Sequence, residues 1–208
     1  MPYRNAIIYV VDDDVSVCRS VSLLLKAHGF KAETFTRATS FLEFKHPKVP
    51  SCLILDIRLP DINGLLLQEK MVKQEINIPI IFITGHGDVP KSVKAIKAGA
   101  IDFFMKPFTA KKLVNAIKLA LEESKARIKK QAETAKIWRN IKTLSPRELE
   151  VFRLVVTGML NKQIATKRGT TLQTIKVHRG RVMKKMEADS VADLVRMTQK
   201  ASLAAAHV

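Results

Sequence analysis

The chain has 208 residues, with 36 Lys and Arg against 19 Asp and Glu, and a formal net charge of +17. No apolar run approaches the ~20 residues that a membrane-spanning helix needs, and the first residues lack the basic, apolar and cleavage regions of a signal peptide. A membrane or secreted protein is therefore not expected. Cys18 and Cys52 form no CxxC pair, which fits a reduced, cytoplasmic protein with no membrane partner.

Taken in chain order, residues 7–11, 31–35, 53–56, 80–84 and 102–105 read as strands. Helical patterns lie between them at 15–28, closed by Gly29, at 40–45, at 65–75, and at 89–97, closed by Gly99; another starts at Ala110. Glycine after the last helical turn is the expected terminator. Five such strand and helix units predict an α/β domain over residues 1–121, a five-stranded doubly wound parallel sheet of flavodoxin-like type. Its central runs are apolar without alternation, as strands covered on both faces should be.

Residues 122–142 contain no Gly or Pro and predict a polar, cationic linker helix. Leu121, Ile128, Ala135 and Trp138 fall loosely on one stripe; a solvated linker helix is expected, with a coiled-coil dimer seam, short and interrupted by charge, as the alternative. Residues 143–208 predict an all-α domain of four short helices. Ser145-Pro146-Arg147-Glu148 has the pattern of a capping box with proline at the first helical position, and that helix stops near Gly158. Asn161 is expected to cap a second helix ending at Gly169. Thr171 should cap a third, running to about Met186, and Ser190 with Asp193 opens a fourth. Residues 1–123 carry 17 Lys and Arg against 13 Asp and Glu, a net +4, whereas residues 124–208 carry 19 against 6, a net +13. A small, strongly basic, all-helical segment points to a helix-turn-helix that binds nucleic acid.

The predicted strands end in Asp12-Asp13-Asp14, Asp56, Thr84 and Lys106-Pro107. The carboxyl ends of strands in an open parallel sheet line one crevice, so three carboxylates, a hydroxyl and an ammonium are expected to converge there. Asp56 is a carboxylate nucleophile able to form an acyl phosphate. Phosphoryl transfer needs charge neutralised on the non-bridging oxygens, and Mg²⁺ accepts one or two carboxylates with water and phosphate oxygens. Asp12 and Asp13 would supply those carboxylates; Asp14 is expected to cap the first helix.

These residues, with Leu59-Pro60, Asn63-Gly64, Gly85-His86-Gly87-Asp88 and Phe108, form a set that resembles the receiver domain of two-component response regulators over residues 5–121. The resemblance implies Asp56 as phospho-acceptor. Asp13 would bind Mg²⁺ directly, Asp12 mainly through water, and the backbone carbonyl of Arg58 would complete the protein's share. It also implies that Lys106, joined to Pro107 by a cis peptide, pairs with phosphoryl oxygens. The Thr84 hydroxyl would meet the phosphoryl group, and Phe103 would turn inward as Thr84 moves. A haloacid-dehalogenase-like phosphatase would need an acid two residues after the nucleophile. That position is Arg58, which donates no proton near neutral pH. A flavin-binding protein of the same fold would need a phosphate loop in place of the acidic triplet.

Leu144-Ser145-Pro146-Arg147-Glu148, Asn161-Lys162-Gln163-Ile164-Ala165 and Thr174-Ile175-Lys176-Val177-His178-Arg179 resemble the LuxR-type helix-turn-helix of the NarL and FixJ regulators, and the whole chain resembles the FixJ subgroup. Helical geometry places Ile175, His178, Val182 and Met186 on a core arc. Opposite lie Gln173, Lys176, Val177, Gly180 and Lys184, with Arg181 flanking. A major groove accepts such a face. Lys176 suits a guanine edge or a phosphate, Val177 a thymine methyl and Gln173 an adenine; Arg181 and Lys184 suit phosphates. Asn161 and Lys162 suit phosphate at a helix start. Gly180 departs from relatives that carry a basic residue there. Arg168 and Thr170 replace apolar residues around the turn glycine, which predicts a less tightly packed turn.

The expected function is a phosphorylation-gated transcription regulator, not an enzyme. A sensor histidine kinase would phosphorylate Asp56. The surface around the fifth strand and its flanking helices would then dimerise, and the paired domains would bind promoter DNA. Residues 191–197 would add a second dimer contact, and RNA polymerase is an expected partner. A constitutive DNA-binding protein with an inert first domain is the alternative, as is a phosphotransfer enzyme with an incidental basic tail.

Overall fold

The computed structural model describes Tyr3 and residues 5–85 and 95–205, with side chains to residue 201. The chain divides into two compact units, residues 1–129 and 130–208. In the first, β1 (Ile7–Val11), β2 (Lys31–Phe35), β3 (Ser51–Asp56), β4 (Ile80–Thr84) and β5 (Asp102–Met105) form one parallel sheet in the order β2-β1-β3-β4-β5. The described helices of this unit include α1 (Val15–Ala27), α2 (Ala38–Glu43) and α3 (Gly64–Lys73), and α4 (Ala110–Lys142) continues past residue 129 into the second unit.

The lack of alternation in the central strands has a direct cause. Successive side chains point to opposite faces of a sheet, and both faces are buried. Ile8 and Val10 of β1, Cys52 and Ile54 of β3 and Ile81 and Ile83 of β4 pack with Leu25 of α1 and Leu113, Ile117 and Leu121 of α4. The intervening Tyr9, Leu53, Leu55 and Phe82 pack with Phe41 of α2 and Leu67 and Met71 of α3. Each fully buried side chain of this size contributes about 1.5–3 kcal/mol of transfer free energy. Strand β2 lies at the sheet edge and is half-exposed.

Several element boundaries differ from expectation; α3, for example, spans Gly64–Lys73 rather than 65–75. Strand β3 begins at Ser51, because Ser51 and Cys52 pair with Ile7 and Ile8 of β1. Helix α2 begins at Ala38 rather than residue 40. Its cap comes from a distant residue: Asp61 accepts hydrogen bonds from the Ala38 and Thr39 N–H groups at 3.2 and 2.9 Å. Local sequence carries no sign of a cap 22 residues away. Residues 95–97 are helical and end before Gly99, at φ 90°; the rest of the helix expected over 89–97 lies outside the described residues.

The second unit contains α5 (Pro146–Val156), α6 (Asn161–Arg168), α7 (Leu172–Met186) and α8 (Val191–Ala205). Their core includes Val151, Phe152, Val155, Ile164, Ile175, Val182, Met186 and Leu194. Ser145 and Glu148 form the expected capping box, and Thr171 caps α7 by accepting from the Thr174 N–H. Asn161 does not cap α6. It is the first helical residue, and the side chain of Gln163 accepts from the Leu160 N–H instead, at 2.8 Å. The stripe expected on the linker is also corrected. Leu121 is buried and Ile128 half-buried, but Ala135 and Trp138 are exposed, and Ile137 is the residue that enters the second core. Helix α4 is continuous, yet its start and end join different cores, so no single stripe runs its length.

Candidate functional site

Strand register delivers the first group of side chains. Val11 pairs with Leu55, Asp56 with Ile83 and Thr84 with Met105, so all these strands finish at one level. Asp12 follows β1, Asp56 ends β3, Thr84 ends β4 and Lys106 follows β5. Asp12, Asp56 and Thr84 are 1%, 5% and 2% exposed. The Lys106 ammonium donates to Asp12 Oδ2 at 2.5 Å and lies 3.4 Å from Asp56 Oδ1. The remaining Asp56 oxygen accepts from the Arg58 N–H at 2.9 Å, and Asp12 Oδ1 accepts from the Asp14 N–H at 3.0 Å. The Lys106-Pro107 peptide is cis.

Burial pushes the Asp56 carboxyl pKa upward; the Lys106 charge opposes that shift and the Asp12 charge adds to it. For Lys106, burial disfavours the ammonium, but its bond to Asp12 and the charge of Asp56 outweigh burial and raise its pKa. Two buried carboxylates thus share one cation, an arrangement short of positive charge.

Asp13 is exposed. Among the described residues, no three His, Cys, Asp or Glu side chains group as a ready-made metal cage. Asp12 and Asp56 meet at Lys106, and Asp13 lies in the exposed turn that leads into α1. Two buried carboxylates with a net negative balance still fit Mg²⁺, a hard cation that takes few protein oxygens and keeps several waters. Asp14 caps α1, accepting from the Ser16 N–H at 2.8 Å. Phe103 is half-buried against the cluster containing Phe82 and Leu55. His86, Gly87 and Asp88 lie outside the described residues.

The second group lies on α7. Gln173, Lys176, Val177, Gly180, Arg181 and Lys184 are all exposed, whereas Ile175, Val182 and Met186 are buried. His178 is half-buried, and its Nδ1 is enclosed without a partner. Lys162 is exposed at the start of α6.

Residues 8–118 match the model of the response regulator receiver domain, and residues 142–198 match that of the bacterial regulatory proteins of the luxR family. The chain belongs to the response regulators. It is similar to Nodulation protein W of Bradyrhizobium diazoefficiens, with 45% identity over 98% of this chain and 89% of that protein. It is also similar to the transcriptional regulatory protein FixJ of Rhizobium meliloti, with 40% identity over 91% and 93%. Among solved structures, the response regulator StyR has 40% identity and a TM-score of 0.82, covering 94% of this chain and 98% of that one. Full-length FixJ from B. japonicum has 36% identity and a TM-score of 0.56, covering 96% and 98%. As a response regulator of a two-component system, with a receiver and a LuxR-type DNA-binding domain, the protein is a transcription regulator and not an enzyme.

The structure of this response regulator adds contacts that the local sequence does not show. Arg179 donates to the Asn161 side chain at 2.7 Å, tying α7 to the start of α6. Lys185 reaches buried Glu148 at 2.6 Å and the Thr143 carbonyl at 2.9 Å. Lys185 is therefore tied to Glu148, although both it and neighbouring Lys184 are exposed, a distinction invisible in a basic run. Arg168 pairs with Glu150 of α5, and the Thr170 N–H donates to the Ala165 carbonyl at 3.1 Å. These bonds hold the turn, and a cavity lined by Arg147, Glu150, Arg168, Gly169, Thr170 and Ile175 lies beside it. Gly64 has a local signal, the Asn63-Gly64 pair. A Cβ there would lie 2.5 Å from the Asp56 carbonyl oxygen, so only glycine lets α3 start against the acceptor strand.

Proposed function

We propose that a sensor histidine kinase transfers a phosphoryl group to Asp56, and that this modification controls how residues 143–208 bind promoter DNA. The observation that carries the reading is the Lys106 ammonium held against both Asp12 and Asp56 at the strand ends. An Asp56 carboxylate oxygen attacks phosphorus, the bond from phosphorus to the kinase histidine nitrogen breaks, and its electron pair stays on the imidazole. Lys106 pairs with the negative oxygens as they develop. Asp12 and Asp56, with Asp13 at the exposed edge and the Arg58 carbonyl, would hold Mg²⁺. When bound, that ion neutralises phosphoryl oxygens alongside Lys106.

Thr84 and Phe103 convert the modification into a shape change: the Thr84 hydroxyl meets the phosphoryl group and Phe103 fills the space it leaves. Residues 1–121 act as receiver, 122–142 as linker and 143–208 as DNA reader. The phosphorylated form is a homodimer, with residues 191–197 in the second contact, and it acts in the cytoplasm on promoter DNA and RNA polymerase. Gln173, Lys176 and Val177 read bases. Asn161, Lys162, Arg181 and Lys184 hold phosphates, in keeping with the exposed α7 face and the +13 segment.

The test is incubation with labelled acetyl phosphate and Mg²⁺. The wild type takes up label and gains affinity for a selected promoter duplex, while Asp56→Asn does neither. Label retained on Asp56→Asn, or uptake with no change in DNA affinity, refutes the reading.

A further inference from the structure

Gly180 stands in the middle of the exposed face of α7, one turn after Lys176 and one turn before Lys184. Glycine weakens a helix interior relative to alanine, because it loses more backbone freedom on folding. Such a residue is commonly kept where a neighbour comes too close for a Cβ or where φ must be positive. Neither applies here. A Cβ built at Gly180 meets no atom within 4 Å, in contrast to Gly64, and Gly180 is not among the glycines of positive φ. Among the described residues the fold therefore supplies no reason for this glycine.

The face around it does. Gln173, Lys176, Val177, Arg181 and Lys184 surround Gly180, all exposed, and Val177 leaves 44% of an apolar side chain uncovered. Resting on the proposal that α7 is the DNA-reading helix, we infer that Gly180 is a specificity-determining residue through the side chain it lacks. At that point the helix backbone itself meets the base-pair edges. The axis of α7 then sits deeper in the major groove than a helix bearing a side chain there, by about the 1–2 Å that a methyl group occupies beyond the helix backbone. Lys176 and Val177, placed four and three residues earlier, lie on the same stripe and reach their bases because of this close approach. The partner is duplex DNA read in its major groove, and the determinant is steric rather than ionic.

The experiment uses the full-length phosphorylated protein, a duplex selected from random sequence by the wild type, and a scrambled duplex of equal length. Gly180→Ala is expected to raise the melting temperature of the C-terminal transition by roughly 2–8 °C, as alanine favours the helix. The same variant should lose at least about fivefold in affinity for the selected duplex. It should keep its affinity for the scrambled one, with an unchanged dependence on salt, because no phosphate contact is removed. Affinity for the selected duplex within twofold of wild type, or tighter, overturns the inference. So does a fall in melting temperature, which would show that glycine serves the fold. Lys176→Ala separates the two levels. If it loses affinity while Gly180→Ala does not, only the role of Gly180 fails; if neither loses affinity, α7 is not the reading helix.

Discussion

At the scale of single residues, the acceptor site depends on one missing side chain as much as on the charged ones present. Gly64 lets the start of α3 touch the carbonyl of Asp56, and a methyl there would also come within 3.1 Å of Ile57 Cα. Backbone cannot yield as a flexible side chain can. Gly64→Ala should destabilise the first unit by about 1–3 kcal/mol. It should also slow phosphorylation about tenfold or more by displacing the nucleophile. Denaturant unfolding and initial rates of label uptake measure the two effects; a normal rate in the folded variant would show that Asp56 tolerates the shift. Glu148 gives a pH prediction. The bond from Lys185, followed by the Ser145 N–H, holds its pKa down at about 2 from an ordinary 4.5. A depressed folded pKa contributes stability that is present above 4.5 and lost as pH falls towards 2. Glu148→Gln should therefore be less stable than wild type near neutral pH, with the difference shrinking through that acid range. Thermal melts followed by circular dichroism at each pH test this, and a difference independent of pH would remove Glu148 as its source.

At the scale of elements, helix α7 is oriented by both apolar and polar ties. Ile175, Val182 and Met186 bury one face, Arg179 fastens its middle to Asn161 and Lys185 its end to Glu148. The opposite face stays exposed with its cations free of these ties, so the helix presents a rigid surface without first having to order itself. Helix α4 behaves differently along its length. Ser124 accepts from the Ser51 N–H at 3.0 Å near the first core, and Ile137 enters the second. Trp138, beside Ile137, is 41% exposed and is the only tryptophan. Its emission should shift on phosphorylation if α4 relays the change. Unchanged emission at full phosphoryl occupancy would mean that the signal bypasses this helix.

At the scale of the molecule, chemistry and recognition occupy separate units with unequal charge. The acidic crevice belongs to the first unit, residues 1–129, while residues 124–208 carry +13 of the net +17. Phosphorylation can shift an equilibrium only by the difference in its interaction with the two conformers. Moving a population from 1:99 to 99:1 takes about 5.5 kcal/mol. Pairing of phosphoryl oxygens with Lys106 is one source of that difference. Asp12 already holds Lys106 before phosphorylation, so part of the gain offsets a bond that must weaken.

The strands, the helix caps at Asp14, Ser145 and Thr171, and the two faces of α7 were legible in the sequence, because each follows from local periodicity or from a residue within three positions of its partner. The sequence also ordered the acidic, hydroxyl and cationic strand ends. What local reading could not supply was every feature made by chain segments far apart. Asp61 caps α2, Glu148 holds Lys185 but not Lys184, Glu150 pins the turn at Arg168, and Asp12 and Asp56 share Lys106. These depend on distance in space, which only folding creates. Local pattern decided which elements form, and tertiary packing decided which polar groups each element was left to offer.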